Sequence, residues 1–195
     1  MKFIDVEGST PIADCSGLIP GHITTLAQLN EWEKNNIIAA QKKYLTRRRK
    51  HAFDSGFFRA VHRDMFDATW EWAGIFRKCN FNLGVDFHQI QIEIKKLSDD
   101  VKYWQDKKTF GLLEQSTRLH HRLVQIHAFQ NGNGRHARLI QDIFLFNNNH
   151  PLPSWPSGEI IEKTDIRSRY IKALKSADEG EYKPLLKFIK KLTEI

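Results

Sequence analysis

The chain has 195 residues, 41% of them hydrophobic and 27% charged, and its 30 Lys and Arg against 23 Asp and Glu give a net charge of +7. That length suits one domain with a substantial core and is short for two of typical size. No apolar run of about 18 residues could form a spanning helix, and Cys15 and Cys79 lack Cys or His neighbours at ligand spacing, which argues against a disulfide scaffold or a zinc finger.

The N-terminal MKFIDVEGST carries early acidic residues and no long apolar region, so a cytoplasmic location and no membrane partner are expected. Gly8, Pro11, Gly17, Pro20 and Gly21 make the first 20 residues read as an arm laid on the domain. Thr24 or Thr25 then caps a helix with Leu29, Trp32, Ile37, Ala40 and Tyr44 at near-helical spacing. The run Arg47-Arg48-Arg49-Lys50-His51 that follows reads as a solvated helix end; the alternative is a patch for nucleic acid or an acidic partner. Asp54 or Ser55 caps a second helix whose buried face would be Phe57, Val61, Met65, Phe66 and Trp70, with Trp70 and Trp72 as core. The stretch GIFRKCNFNLGVDF, with β-formers around an Asn-Phe-Asn-Leu-Gly turn, predicts a short hairpin. Helices follow over 90–104 and 112–126, the second with His120 and His121 in packing or capping roles. A glycine turn leads into a helix closed by Asn147-Asn148-Asn149. After the loop HPLPSWPSG, two helices near 164–177 and 182–192 end a mostly α chain with no repeat and no second core.

The glycine turn carries the chemistry. In IHAFQNGNGRHAR, residues 126–138, a helix leads in and another leads out, so backbone amides meet the positive end of the outgoing helix. Gly132 and Gly134 let an anion approach the backbone, and Arg135 and Arg138 in the first turn are unfavourable for the helix dipole unless an anion meets them. Two guanidiniums beside an amide nest point to a di- or triphosphate. His127, just before the loop, would take a proton near neutral pH.

These residues closely resemble the signature of the Fic/Doc (Fido) family, His-Pro-Phe-x-Asp/Glu-Gly-Asn-Gly-Arg-x-x-Arg. MFDATWEWAGIFRK resembles the family's approach to its target-binding flap, and LHHRLVQIHAF its helix leading to the active site. SGLIPGHITTLAQLNEWEKNNI and the RRRK run resemble the mobile mystery protein B subgroup, often encoded beside a helix-turn-helix protein. The resemblance implies a Fic-type helical domain with a short β-hairpin flap over 55–195, with 1–54 as an N-terminal arm and helix packed on it. It also implies transfer of AMP from ATP to a hydroxyl of a target protein. Carried over, His127 is the general base; Gly132, Asn133 and Gly134 form the anion hole; Arg135 holds the outer phosphates and Arg138 the γ-phosphate; Phe129 anchors the loop. The target would lie along the flap by strand addition. An antitoxin or helix-turn-helix protein is an implied partner, whereas nucleic acid is not expected, since no reading motif accompanies the positive charge.

Two departures qualify the resemblance. Asn131 stands where the family has Asp or Glu, so Mg²⁺ would be weakly held, and Ala128 replaces Pro. The family's inhibitory helix motif is not matched either. Its nearest counterpart, LNEWEKN, makes Glu33 a candidate inhibitory residue paired with Arg138, against the plainer expectation of a solvated carboxylate. A nucleotide- or partner-binding homologue with weak or altered transferase activity is the alternative function.

Overall fold

The computed structural model describes residues 17–156 and 165–194, so most of the expected arm lies outside them. Thr25 starts helix α1 (Leu26–Leu45): its hydroxyl accepts from the Gln28 amide while the Gln28 side chain accepts from the Thr25 amide. Asp54 caps α2 (Ser55–Phe66) by accepting from the Phe57 amide at 2.9 Å. A 3₁₀ turn (Phe87–Gln89), capped by Asp86, opens α3 (Ile90–Lys107). Then come α4 (Leu112–Ile126), α5 (Asn133–Asn147), α6 (Asp165–Asp178) and α7 (Lys183–Thr193), the last with a proline in its first turn.

Helix α5 is the centre. From His136 to Leu145 nearly every side chain is buried, which a helix tolerates only when neighbours cover it on all sides. Here α1, α2 and α4 supply that cover. Its C-terminal end is closed by Arg48, whose Nε donates to the Phe146 carbonyl at 3.0 Å and whose Nη2 donates to Asn149 Oδ1 at 2.6 Å. A guanidinium there meets the unpaired carbonyls and the negative end of the dipole, so this member of the basic run is a helix-end residue.

Three expectations are corrected. The buried face of α2 is Phe58, Val61, His62, Met65 and Phe66; Phe57 is half-buried, and Trp70 lies beyond the helix. Trp70 is buried by a different route, through an isolated antiparallel bridge to Leu18 and a stack with Trp72 at 4.9 Å. Buried apolar residues form two clusters rather than one, a large one across α1 to α5 and a smaller one of α6 and α7, with Leu113 and Val124 of α4 packed against both. The hairpin is absent. Among the described residues there is no β-strand, because the segment after Gly74 bonds to a neighbour instead of to itself: the Arg77 amide donates to the Ala128 carbonyl at 2.9 Å and the Val85 amide to the Ile126 carbonyl at 3.3 Å. Strand propensity yields here to tertiary hydrogen bonding.

His120 and His121 pack as expected. His120 Nε2 meets the Tyr170 hydroxyl at 2.7 Å, and His121 bridges Tyr182 and Asp178, tying α4 to the α6–α7 pair. With His62 and His136, both wholly enclosed, they make the interior rich in neutral imidazole. Burial pulls His120 down to about 3 and His136 and His127 to about 4, and His62 well below its ordinary value. The unfolded chain takes up protons near pH 6.5 and the folded one does not, so stability is full above that pH and falls as pH drops through it. Between pH 7 and 5 each of His120, His127 and His136 removes roughly 2 kcal/mol. Buried Asp142, raised to about 7, works in the opposite direction and offsets about one of them. The expected result is a loss of several kcal/mol, read as a large drop in urea midpoint between pH 7 and pH 5; a midpoint independent of pH across that range would show that the histidines are not held neutral.

Candidate active site

Two left-handed residues turn the chain from α4 into α5. His127, the C-cap of α4, has φ 53° and ψ 56°, and Gly132, the N-cap of α5, has φ 76°. Gly132 admits no other residue, since an added Cβ would stand 2.5 Å from the Phe66 ring. At Gly134 an added Cβ would meet only Arg138 Nη1 at 3.9 Å, so there the missing side chain leaves the amide turn open.

Between these residues the loop is braced from inside. Phe129 is buried, stacked on His62 at 3.8 Å and flanked by Phe76 and His136. Asn133 uses its side chain on the loop: Oδ1 accepts from the Phe129 amide at 2.9 Å and Nδ2 donates to the Phe129 carbonyl at 2.8 Å. His62 is the brace that sequence reasoning missed. The Gly74 amide donates to its Nδ1 at 3.0 Å, which assigns the proton to Nε2, and Nε2 donates to the Asn131 carbonyl at 3.0 Å. A single histidine on a helix face carries no signal of such a role; its spacing from Phe66, i to i+4, is the only hint.

His127 is almost covered. Its Nδ1 lies 3.3 Å from the Val124 carbonyl, which places the proton on Nδ1 and leaves Nε2 in the accepting form. Burial holds it at about 4, below the value expected from the sequence, so the ring is neutral at physiological pH and a weaker base than free histidine. A neighbouring polyphosphate would raise it again.

The first turn of α5 presents amides with no carbonyl one turn before them; Arg135 rises from that turn, whereas Arg138, expected beside it, lies in the second turn. Arg135 lies over the Phe66 ring at 4.9 Å and pairs with Glu33 Oε2. Glu33 is 3% exposed, and its other oxygen accepts from Trp70 Nε1 at 2.7 Å. Glu33 is therefore neither solvated nor bound to Arg138: position 33 is on the buried side of α1, facing Trp70 and the start of α5. Arg138, half-buried, lies over the Trp155 ring at 5.8 Å with a hydrogen bond to Tyr170 and Asp142 close by; burial is the main force lowering its pKa.

Asn131 does not complete a metal site. Its Oδ1 accepts from the Gly132 amide at 2.5 Å, and among the described residues no group of three or more His, Cys, Asp or Glu could hold an ion. The donor set does not fit a protein-held Mg²⁺.

No helix among the described residues is long and apolar enough to cross a membrane. Residues 52–145 match the model of the Fic/DOC family. The protein adenylyltransferase fic-1 of Caenorhabditis briggsae is 27% identical over 103 residues, 52% of this chain and 19% of that one, so the chain spans less than a fifth of that relative. The N-terminal Fic domain of a VirB-translocated Bep effector from Bartonella quintana shares the fold with a TM-score of 0.70 at 19% identity, covering 91% of this chain and 88% of that one. BepC from Bartonella tribocorum, solved with bound AMPPNP, superposes with a TM-score of 0.66 at 17% identity over 93% and 97% of the two chains. The site built around His127, Gly132 and the two arginines thus lies within the stretch, residues 52–145, that matches the Fic/DOC family model.

Proposed function

We propose that the protein is a Fic-type adenylyltransferase that moves AMP from ATP to a hydroxyl side chain of a target protein. The observation that supports this reading most is the neutral, accepting imidazole of His127 at the entrance to the open amide turn of α5, with Arg135 on that turn and Arg138 on the next. In the reaction the target hydroxyl oxygen bonds to the α-phosphorus and its proton passes to His127 Nε2. The bond from that phosphorus to the oxygen bridging the α- and β-phosphates breaks, and pyrophosphate leaves. The amides of α5 and the two arginines offset charge on the phosphates, the main demand such transfers place on a protein. The curated relative is named an adenylyltransferase, and BepC was solved with a nucleotide analogue, which supports ATP as donor. Any Mg²⁺ would arrive on the nucleotide's phosphates, and no step here is assigned to it.

The target would lie along the irregular segment from Phe76 to Val85, whose outer residues Lys78 to Asn80 are exposed. A cytoplasmic setting and a restraining partner of the antitoxin or helix-turn-helix kind, as in the mobile mystery protein B subgroup, complete the reading. Glu33 is proposed as a restraint within the chain, because it occupies the Arg135 guanidinium that ATP would need. A second reading, a nucleotide- or partner-binding homologue with weak activity, is favoured by the low basicity of His127 and by Asn131.

Incubation with ATP, Mg²⁺ or Mn²⁺ and a bacterial lysate, read by peptide mass spectrometry, is expected to give AMP-sized additions on Ser, Thr or Tyr. His127→Ala should reduce them by about 10²-fold or more; additions that persist at the same level would remove the assigned base. Glu33→Gln keeps a hydrogen-bond partner for Trp70 and releases Arg135, and should raise the rate several-fold; an unchanged rate rejects the restraint. Asn131→Asp should tighten Mg²⁺-dependent ATP binding by about tenfold, near 1.4 kcal/mol, and equal affinities by calorimetry would show that position 131 does not touch the metal-bound nucleotide.

A further inference from the structure

Three consecutive carbonyls at the end of α4 are held by one external segment. Val85 N donates to the Ile126 carbonyl at 3.3 Å, Arg77 Nε to the His127 carbonyl at 2.7 Å, and Arg77 N to the Ala128 carbonyl at 2.9 Å. The same guanidinium gathers the segment it belongs to, with Nη1 donating to the Cys79 carbonyl at 2.7 Å and Nη2 donating to the Val85 carbonyl. Arg77 is 6% exposed, and among the described residues no carboxylate lies within ion-pair distance of it. A buried guanidinium solvated only by neutral groups is unfavourable unless each donor is met, so these carbonyls must converge on it together. Gly84 closes the arrangement: an added Cβ would fall 2.6 Å from His127 Cβ and 2.8 Å from Arg77 Nη2.

His127 needs such support. A left-handed conformation at a residue other than glycine costs on the order of 1 kcal/mol or more and persists only where its surroundings fix it. Nothing in the function already proposed uses Arg77.

We infer that Arg77 is a positioning residue for the transfer reaction: by holding the carbonyls of residues 79, 85 and 127 at one point, it sets the orientation of His127 and couples that orientation to the shape of the segment along which the target lies. A target that shifts residues 77–85 moves the base with them. Lysine cannot substitute, because a single ammonium on a flexible stem lacks the planar fork that spans three carbonyls. The inference rests on the transferase reading for its function and on geometry alone for its structure.

The test compares the full chain with Arg77→Lys and Gly84→Ala, the second pressing on the same contact from an exposed position. Imidazole ¹⁵N NMR, with the His127 signals identified by their loss in His127→Gln, is expected to show one tautomer in the parent chain. In a folded variant it should show mixed tautomers and a titration midpoint raised by about one unit or more as the ring gains water. AMP transfer should fall about tenfold or more in kcat, with the KM for ATP within about twofold. Unchanged His127 tautomer and midpoint in a folded variant of either kind would overturn the inference. If the parent chain transfers no AMP to any protein, the transferase reading fails while the NMR comparison still decides the role of Arg77. Should Arg77→Lys not fold, Gly84→Ala carries the same decision.

Discussion

The turn from α4 into α5 has only five residues between Ile126 and Gly132 in which to reverse the chain and still place backbone amides toward solvent. It achieves this with left-handed residues at both ends and an aromatic anchor between them, and most other features near the site exist to hold that shape. Phe129 supplies the apolar weight, His62 fixes the carbonyl of Asn131, and Asn133 turns its side chain back on Phe129. The amide turn is left open because the side chain of Asn133 is occupied elsewhere and Gly134 has none.

Electrostatics divides the interior by position. Histidines packed among aromatic rings are held neutral and act as hydrogen-bonding struts, with the proton on Nε2 in His62 and His136, where that nitrogen faces a carbonyl. Arg77, Arg135 and Arg138 are permanent cations near the site, and each meets carbonyls, rings or an acid. Glu33 brings a buried carboxylate to the first turn of α5, held by Trp70 on one side and Arg135 on the other, and buried Asp142 stands near Arg138. The site is therefore positive but not uniformly so, and the acid that tempers Arg135 comes from a helix distant in the chain.

Local signals carried much of the architecture. Thr25 and Asp54 cap where hydroxyl and carboxyl chemistry places them, and the Gly-Asn-Gly turn between two helical patterns marks the amide turn directly. What failed were statements that depend on which distant group a residue meets. GIFRKCNFNLGVDF has strand propensity, yet its edges bond to residues 126 and 128, a choice that no short window contains. Glu33 looks solvated because α1 is polar on most sides; its burial follows from how α1 lies against α5. Trp70 was placed on the wrong element for a similar reason, since α2 stops at Phe66 and the chain bends before the indole is buried. Arg77 and His62 belong to the same class, being polar residues whose partners are almost all backbone groups far along the chain.

The bond from Arg48 to the last turn of α5 takes on further meaning beside the pair formed by Glu33 and Arg135 at the first turn. Both contacts originate on one stretch of chain, α1 and the residues just after it, and they grip the central helix at opposite ends. That stretch acts as a splint lashed along α5. A chain cut back to the start of α2 would keep the whole glycine turn and lose both lashings at once, freeing Arg135 while leaving the far carbonyls of the helix to water.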